Sequence, residues 1–288
     1  MRRPTKEVLY ALYKAKVKRP RAAYEEAVRE YEVLRAAGID VLDPEDDAYP
    51  ERLRRRLKTP PWLFYRGPRP RPLRLLRRPG VAIVGSRNAS PLGLRCAEGL
   101  ALGLARRGVN IISGYARGVD RMAHSGALQA PRGGTTVVLG EGILRFAPKG
   151  ELREVANWER RTLILSQFPP TAPWRASQAM IRNQLICALA DLVVVIEAGP
   201  ERDRQGKRSG TFHAGKTALG QGIPLFVVEY RLEQSSLWAS SKEDLPEIPE
   251  GNRTLLERGG CPLPINPLTP ERSLRNAIRT LHQALSRA

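Results

Sequence analysis

The sequence predicts an α/β protein with a doubly wound, mainly parallel sheet and a small N-terminal helical extension. From Val81 onward, near-continuous apolar runs alternate with helix-like segments. That is the pattern of parallel strands covered on both faces and joined by right-handed crossovers. Two of the runs also end in the same way. Val81-Ala82-Ile83-Val84-Gly85-Ser86-Arg87 and Asn110-Ile111-Ile112-Ser113-Gly114-Tyr115-Ala116-Arg117-Gly118-Val119-Asp120 each finish in Gly or Ser-Gly and then meet an Arg. The chain has 288 residues, 42% of them apolar, enough for one large domain or one large plus one small.

Taken in order, residues 1–67 form a helical and lead-in region. Tyr24, Val28, Tyr31 and Leu34 fall at helical spacing, with Gly38 as the C-cap. A short run at Ile39-Asp40-Val41-Leu42, a basic helix from Glu51 to Lys58 and the run Pro60 to Tyr65 follow. Arg66 to Pro79 holds six arginines, four prolines and no acid. Residues 68–79 of it read as an extended connector. The main domain covers 80–230, with strands expected at 81–85, 109–113, 135–140, 162–166, 192–197 and 223–229. Helices are expected at 91–107, 119–130, 150–160, 176–190 and 211–221. The C-terminal extension, 231–288, reads as a Ser-, Glu- and Pro-rich surface loop to about 268, closed by a helix over 270–286.

The formal net charge of +19 points to a polyanionic partner, above all nucleic acid. Its distribution supports this. Residues 1–80 carry 21 basic and 11 acidic groups, residues 81–230 carry 19 and 11, and the remainder 8 and 7. A general compositional preference for Arg would not spare the tail. No run of 18 apolar residues predicts a membrane span, and the N-terminus does not read as a secretory signal. Cys96, Cys187 and Cys261 read as reduced residues of a cytoplasmic protein.

The two strand tips carry the predicted site. Gly85, Ser86 and Arg87, with Ser113, Gly114, Arg117 and Gly118, place small residues, free N–H groups and guanidiniums where helices begin, a setting that holds phosphate. Tyr115 either stacks a base or packs under its loop. Asp120 and His124, at i and i+4, read as a helix-start carboxylate with a hydrogen-bonded histidine rather than a catalytic pair. Arg182 and Asn183 face the same crevice, and Glu197 reads as a buried carboxylate orienting an Arg or a loop. Arg204, Lys207 and Arg208 lie in a charged loop, expected to be flexible, that closes over a bound strand. The tips are not a dinucleotide fingerprint. No metal ligand spacing occurs, and no cofactor or catalytic residue is expected. Gly210-Thr211-Phe212-His213-Ala214-Gly215-Lys216-Thr217 matches GxxxxGK[ST], but a charged loop rather than an apolar strand precedes it, so it reads against a working ATP site.

Several co-linear motifs resemble the DNA-processing protein A (DprA/Smf) family over about residues 38–230. They are Gly85-Ser86-Arg87, Ser113 to Asp120 with Ala123-His124, Arg182-Asn183-Gln184, Val195-Ile196-Glu197-Ala198 and Ser209-Gly210-Thr211. Upstream, Asp47-Ala48-Tyr49-Pro50 and Pro60 to Gly67 resemble the family's lead-in. The resemblance implies a Rossmann-like domain that binds single-stranded DNA, protects incoming strands and helps load the RecA recombinase during natural transformation. It implies a homodimer and no enzyme. By position, Gly85, Ser86, Arg87, Arg117, Arg182 and Asn183 become DNA contacts. Three places depart from the family pattern: Gln184 replaces an Arg, Ala179-Met180 a Phe-Pro, and Ser166-Gln167 a Ser-Glu. The family's winged-helix module has no evident counterpart in 231–288. The enzyme alternative is a nucleotide-binding, phosphoribohydrolase-like protein; a P-loop ATPase ranks below it.

Overall fold

The computed structural model describes residues 23–68, 70–231 and 247–287. The reading of residues 1–22 as helix therefore lies outside the described residues. Nine strands make one sheet: β1 (Asp40–Leu42), β2 (Leu63–Arg66), β3 (Gly80–Val84), β4 (Asn110–Ser113), β5 (Gly134–Val138), β6 (Thr162–Ser166), β7 (Leu192–Val195), β8 (Leu225–Tyr230) and β9 (Cys261–Ile265). Their spatial order is β1-β2-β6-β5-β4-β3-β7-β8-β9. Strands β3 to β9 pair in parallel, while β1 and β2 add antiparallel at one edge. The chain leaves β3 in one direction for β4 and returns to the other side of β3 as β7. Loops diverge there, and such a switch point opens a crevice at the carboxyl ends of the strands.

Helices cover both faces. On one lie α3 (Pro91–Ala105), α4 (Val119–Gln129) and α9 (Pro270–Leu285), packed on Val81, Ile83, Ile111 and Val194. On the other lie α2 (Glu51–Arg56), α6 (Ala176–Leu189), α7 (Gly210–Gly220) and α8 (Glu250–Glu257), packed on Ala82, Ile112, Val193 and Val227. Alternate residues of β3 thus feed opposite cores, as expected of a strand buried on both faces. Tyr31 and Leu34 of α1 (Ala23–Ala36) join a third cluster with Phe64, Val137, Phe146 and Trp158.

The strands and helices of the parallel domain fall within two residues of expectation, with one exception. The helix expected over 150–160 is broken. A short α5 (Glu151–Glu154) and a 3-10 turn (Trp158–Arg160) stand in its place, with Asn157 left-handed at φ 55° between them. The connector is not extended either. Pro72–Arg77 winds into a 3-10 helix, because Leu75 and Leu76 are buried on the sheet while the arginines stay outside. The lead-in region contributes sheet as well as helix. The surface loop expected to 268 is likewise corrected where it is described: α8 and β9 occupy it. Pro262 and Pro264 in β9 hid the strand, since proline cannot supply a ladder N–H. It survives as an edge strand, with Leu263 and Ile265 buried. Cys96 and Cys187 are buried, but Cys261 is exposed.

Candidate nucleic-acid interface

The tips of β3 and β4 are tied together by the backbone. Gly85 is buried against Val119 of α4. The Ser86 carbonyl accepts the Val119 N–H at 3.3 Å, and the Ser86 N–H donates to the Glu197 carbonyl at 2.8 Å. The loops after β3, β4 and β7 therefore meet at one point. Gly118 makes the approach feasible. It begins α4 at φ 84°, and a Cβ there would lie 2.5 Å from the Ser86 carbonyl oxygen. No side chain fits that geometry without strain.

Ser90 caps α3 by accepting the Gly93 N–H, and it also recruits Glu197. The Glu197 carboxylate takes the Ser90 N–H at 2.8 Å, the Ser90 hydroxyl at 2.5 Å and the Tyr230 hydroxyl at 2.6 Å. It is buried. It orients a helix start and β8, and no Arg is among those partners. Burial and this carboxylate push the Tyr230 hydroxyl far above its usual pKa.

Above this frame Arg87 and Arg117 stand exposed. The Arg117 guanidinium donates to the Asn88 side-chain oxygen, which links the second loop to the first. Asn88 N–H in turn donates to Ser86 Oγ at 3.0 Å. Arg87 lies over the ring of Trp174, 5.3 Å from its centroid, and Trp174 is 48% exposed. Two guanidiniums, an open indole and two adjoining helix starts thus share one surface. Such a combination has the chemistry to hold phosphate and to offer a stacking face.

Other expected contacts sit lower. Arg182 is only 6% exposed, 4.0 Å from Asp120. It runs beneath Gly114, where a Cβ would fall 1.1 Å from Arg182 Nη1. Ser113 donates its hydroxyl to the Ile83 carbonyl at 2.6 Å, binding β4 to β3. The Ala116 N–H donates to Asp120 at 3.2 Å. These residues brace the loop from below. Burial raises the Asp120 pKa while the Arg182 charge opposes it; burial lowers Arg182 while Asp120 opposes that. Asn183 donates its amide to the Gly210 carbonyl at 2.9 Å, so it anchors the start of α7.

Tyr115 takes the packing alternative. At φ 64° its ring turns against Phe146, 5.2 Å between centroids, with Arg121 over it at 5.4 Å and its hydroxyl donating to the Lys149 carbonyl at 2.9 Å. The expected Asp120–His124 hydrogen bond gives way to a different one. His124 Nδ1 lies 2.7 Å from Thr135 Oγ1, whose proton goes to the Ile111 carbonyl at 2.7 Å. Nδ1 is therefore the donor and His124 is neutral. Burial first, and then Arg182, lower its pKa to about 3. Arg204, Lys207 and Arg208 are exposed on a folded hairpin rather than an open flap. Asp203 N–H donates to the Lys207 carbonyl at 3.0 Å, and Arg202 bridges Arg208. The GxxxxGK[ST] match is helix, not loop, which removes the P-loop reading. Lys216 is in the second turn of α7, and Gly215 is small because Leu255 of α8 packs on it.

Trp174 escaped the sequence reading. Its signal was an aromatic between Pro173 and Arg175 in the polar loop after β6. Among the described residues no group of three or more His, Cys, Asp or Glu is arranged to hold a metal ion. Nor is any described helix long and apolar enough to cross a membrane.

The fold and the joined strand tips define a Rossmann-like protein of the doubly wound class. The chain belongs to the DNA recombination-mediator protein A family, whose profile matches residues 40–243. It is 35% identical over 184 residues to DNA processing protein DprA of Streptococcus pneumoniae, covering 64% of this chain and 60% of that protein. It is 34% identical over 189 residues to protein Smf of Escherichia coli, covering 65% of this chain and 47% of that one. The chain thus spans about half the length of the curated relatives it matches. The crystal structure of the Streptococcus pneumoniae DprA superposes with a TM-score of 0.65 at 26% identity, over 95% of this chain and 93% of that chain. DNA processing protein A of Helicobacter pylori, whose structure describes a single-stranded DNA binding mode, gives 0.63 at 27% identity over 85% and 96%.

Proposed function

We propose that this protein binds single-stranded DNA in the crevice at the tips of β3 and β4. The observation that carries the reading is the convergence of exposed Arg87 and Arg117, two helix starts and the open Trp174 ring on one surface. Phosphates lie against the two guanidiniums, and a base stacks on Trp174. The likeness to a relative described as a single-stranded DNA binder supports it. The protein acts by binding, not by turnover. Glu197 and Asp120, the carboxylates nearest the crevice, are committed to Ser90, Tyr230 and Arg182.

In the cell the protein coats incoming single strands in the cytoplasm as a homodimer and hands them to RecA in transformation or recombination. Fluorescence anisotropy tests the binding step. Labelled oligo-dT binds and a duplex of equal length competes poorly. Arg87→Ala weakens oligo-dT regardless of sequence; equal affinity for both variants would overturn the reading. Adding RecA with and without this protein to coated strands tests the hand-over.

A further inference from the structure

The stretch that mimics a nucleotide loop in sequence borders a real cavity of about 420 Å³. Phe212 and Met180 line it together with Arg202, Arg208, His213 and Lys216. The cavity opens at the start of α7, capped by the Ser209 hydroxyl, which accepts the Phe212 N–H at 3.2 Å. The first amides of a helix carry partial positive charge. The volume suits a phosphate together with the sugar that bears it.

Among the described residues the charge in this cavity is not balanced. Its one carboxylate, Glu201, is shared between Lys216 at 2.9 Å and Arg258 at 3.1 Å. Arg202 and Arg208 make no ion pair among the described residues. The bridge between their backbones holds both on one rim. His213 Nδ1 is buried without a partner. Burial, then Arg208 and then Lys216 hold the imidazole below its usual pKa. Two cations therefore press on one ring, a repulsion that an anion would relieve.

The geometry points to a second site in which a phosphate group is held by Arg208, Lys216 and the first amides of α7, beside the His213 ring. This goes beyond the strand-tip reading, and it does not need Arg87 or Trp174. Asn183, reaching from α6 to the Gly210 carbonyl, fixes the helix start against the rest of the fold. The phosphate comes either from nucleic acid or from a free phosphorylated molecule.

The test is proton NMR of the imidazoles. The chain has only three histidines, and His213→Asn assigns the signal. Inorganic phosphate, added at constant ionic strength against chloride, raises the His213 midpoint saturably by about one pKa unit, a tenfold gain for the protonated ring. His124 and His282 stay put, and Arg208→Glu, on the exposed rim, abolishes the response. Oligo-dT with a 5′-phosphate, or with a 5′-hydroxyl, then reports the source. If only the former moves His213, the ligand is a strand terminus; if both, an internal phosphate; if neither, a free phosphorylated molecule. A His213 midpoint that ignores inorganic phosphate, or one that responds equally in Arg208→Glu, overturns the site. Arg87→Ala keeps the phosphate response, so failure of the strand-tip reading is seen separately.

Discussion

Arg87 and Trp174 touch each other, yet they contribute different quantities to binding. Arg87 supplies charge, so its effect depends on salt. Each phosphate contact to single strands contributes about 0.7 to the slope of log affinity against log salt. Arg87→Ala should flatten that slope by about this amount, read in an anisotropy salt series. Trp174 supplies a face. Trp174→Ala should cost about 1–3 kcal/mol per stacked base with the salt slope kept. His124 acts on stability instead. Its folded pKa, about 3, lies below the ordinary value of 6.5, so protonation favours the unfolded chain. Its contribution is fully present above about pH 6.5 and is lost as pH falls toward 3. Thermal melts across that window should show the loss, and His124→Gln should flatten the profile. The exposed arginines of the site were legible because Gly-Ser-Arg and Ala-Arg-Gly follow apolar runs. The depth of Arg182 was not. Only the absence of a side chain on Gly114 betrays that a guanidinium passes there.

Among the elements, α3 best shows how structure and site share one support. Ser90 caps it and simultaneously satisfies Glu197. Ser90→Ala removes the cap, worth about 1 kcal/mol, and leaves a buried carboxylate short of a donor. Its melting temperature should fall, and oligo-dT affinity should fall with it because the loop that carries Arg87 leans on Glu197 through the Ser86 N–H. Ser90→Thr should restore both. The six domain strands were readable as apolar runs because parallel strands buried on both faces carry little else. Two elements escaped for opposite reasons. The 3-10 helix at Pro72–Arg77 hid among arginines, its burial resting on Leu75 and Leu76 with Leu73 partly buried beside them. Strand β9 alternates proline with Leu263 and Ile265, and proline argues against a strand until one knows it is an edge.

For the whole molecule, the C-terminal region completes the domain rather than trailing from it. Strand β9 covers β8 in a five-residue parallel register, and α9 lies on α3. Gly103 of α3 is small because Ile278 of α9 rests on it, and Gly99 because Leu274 does. Truncation after Arg231 would uncover Tyr230, Val228 and the outer side of α3. Such a chain should aggregate or melt well below the full-length protein. A stable, monodisperse fragment in light scattering would contradict this. The charge distribution agrees, since the near-neutral tail serves packing while the positive excess lies in the rest of the chain.

The prolines of β9 bear on assembly. The Ile265 carbonyl accepts the Arg231 N–H at 3.0 Å, so the backbone groups of Leu263 and Ile265 point toward β8 and those of the intervening positions away, where Pro262 and Pro264 present no hydrogen to lend. This flank is sealed against another backbone. A copy of the chain gains no ladder bond from those two positions, which leaves the β1 edge and the remaining surface for self-association.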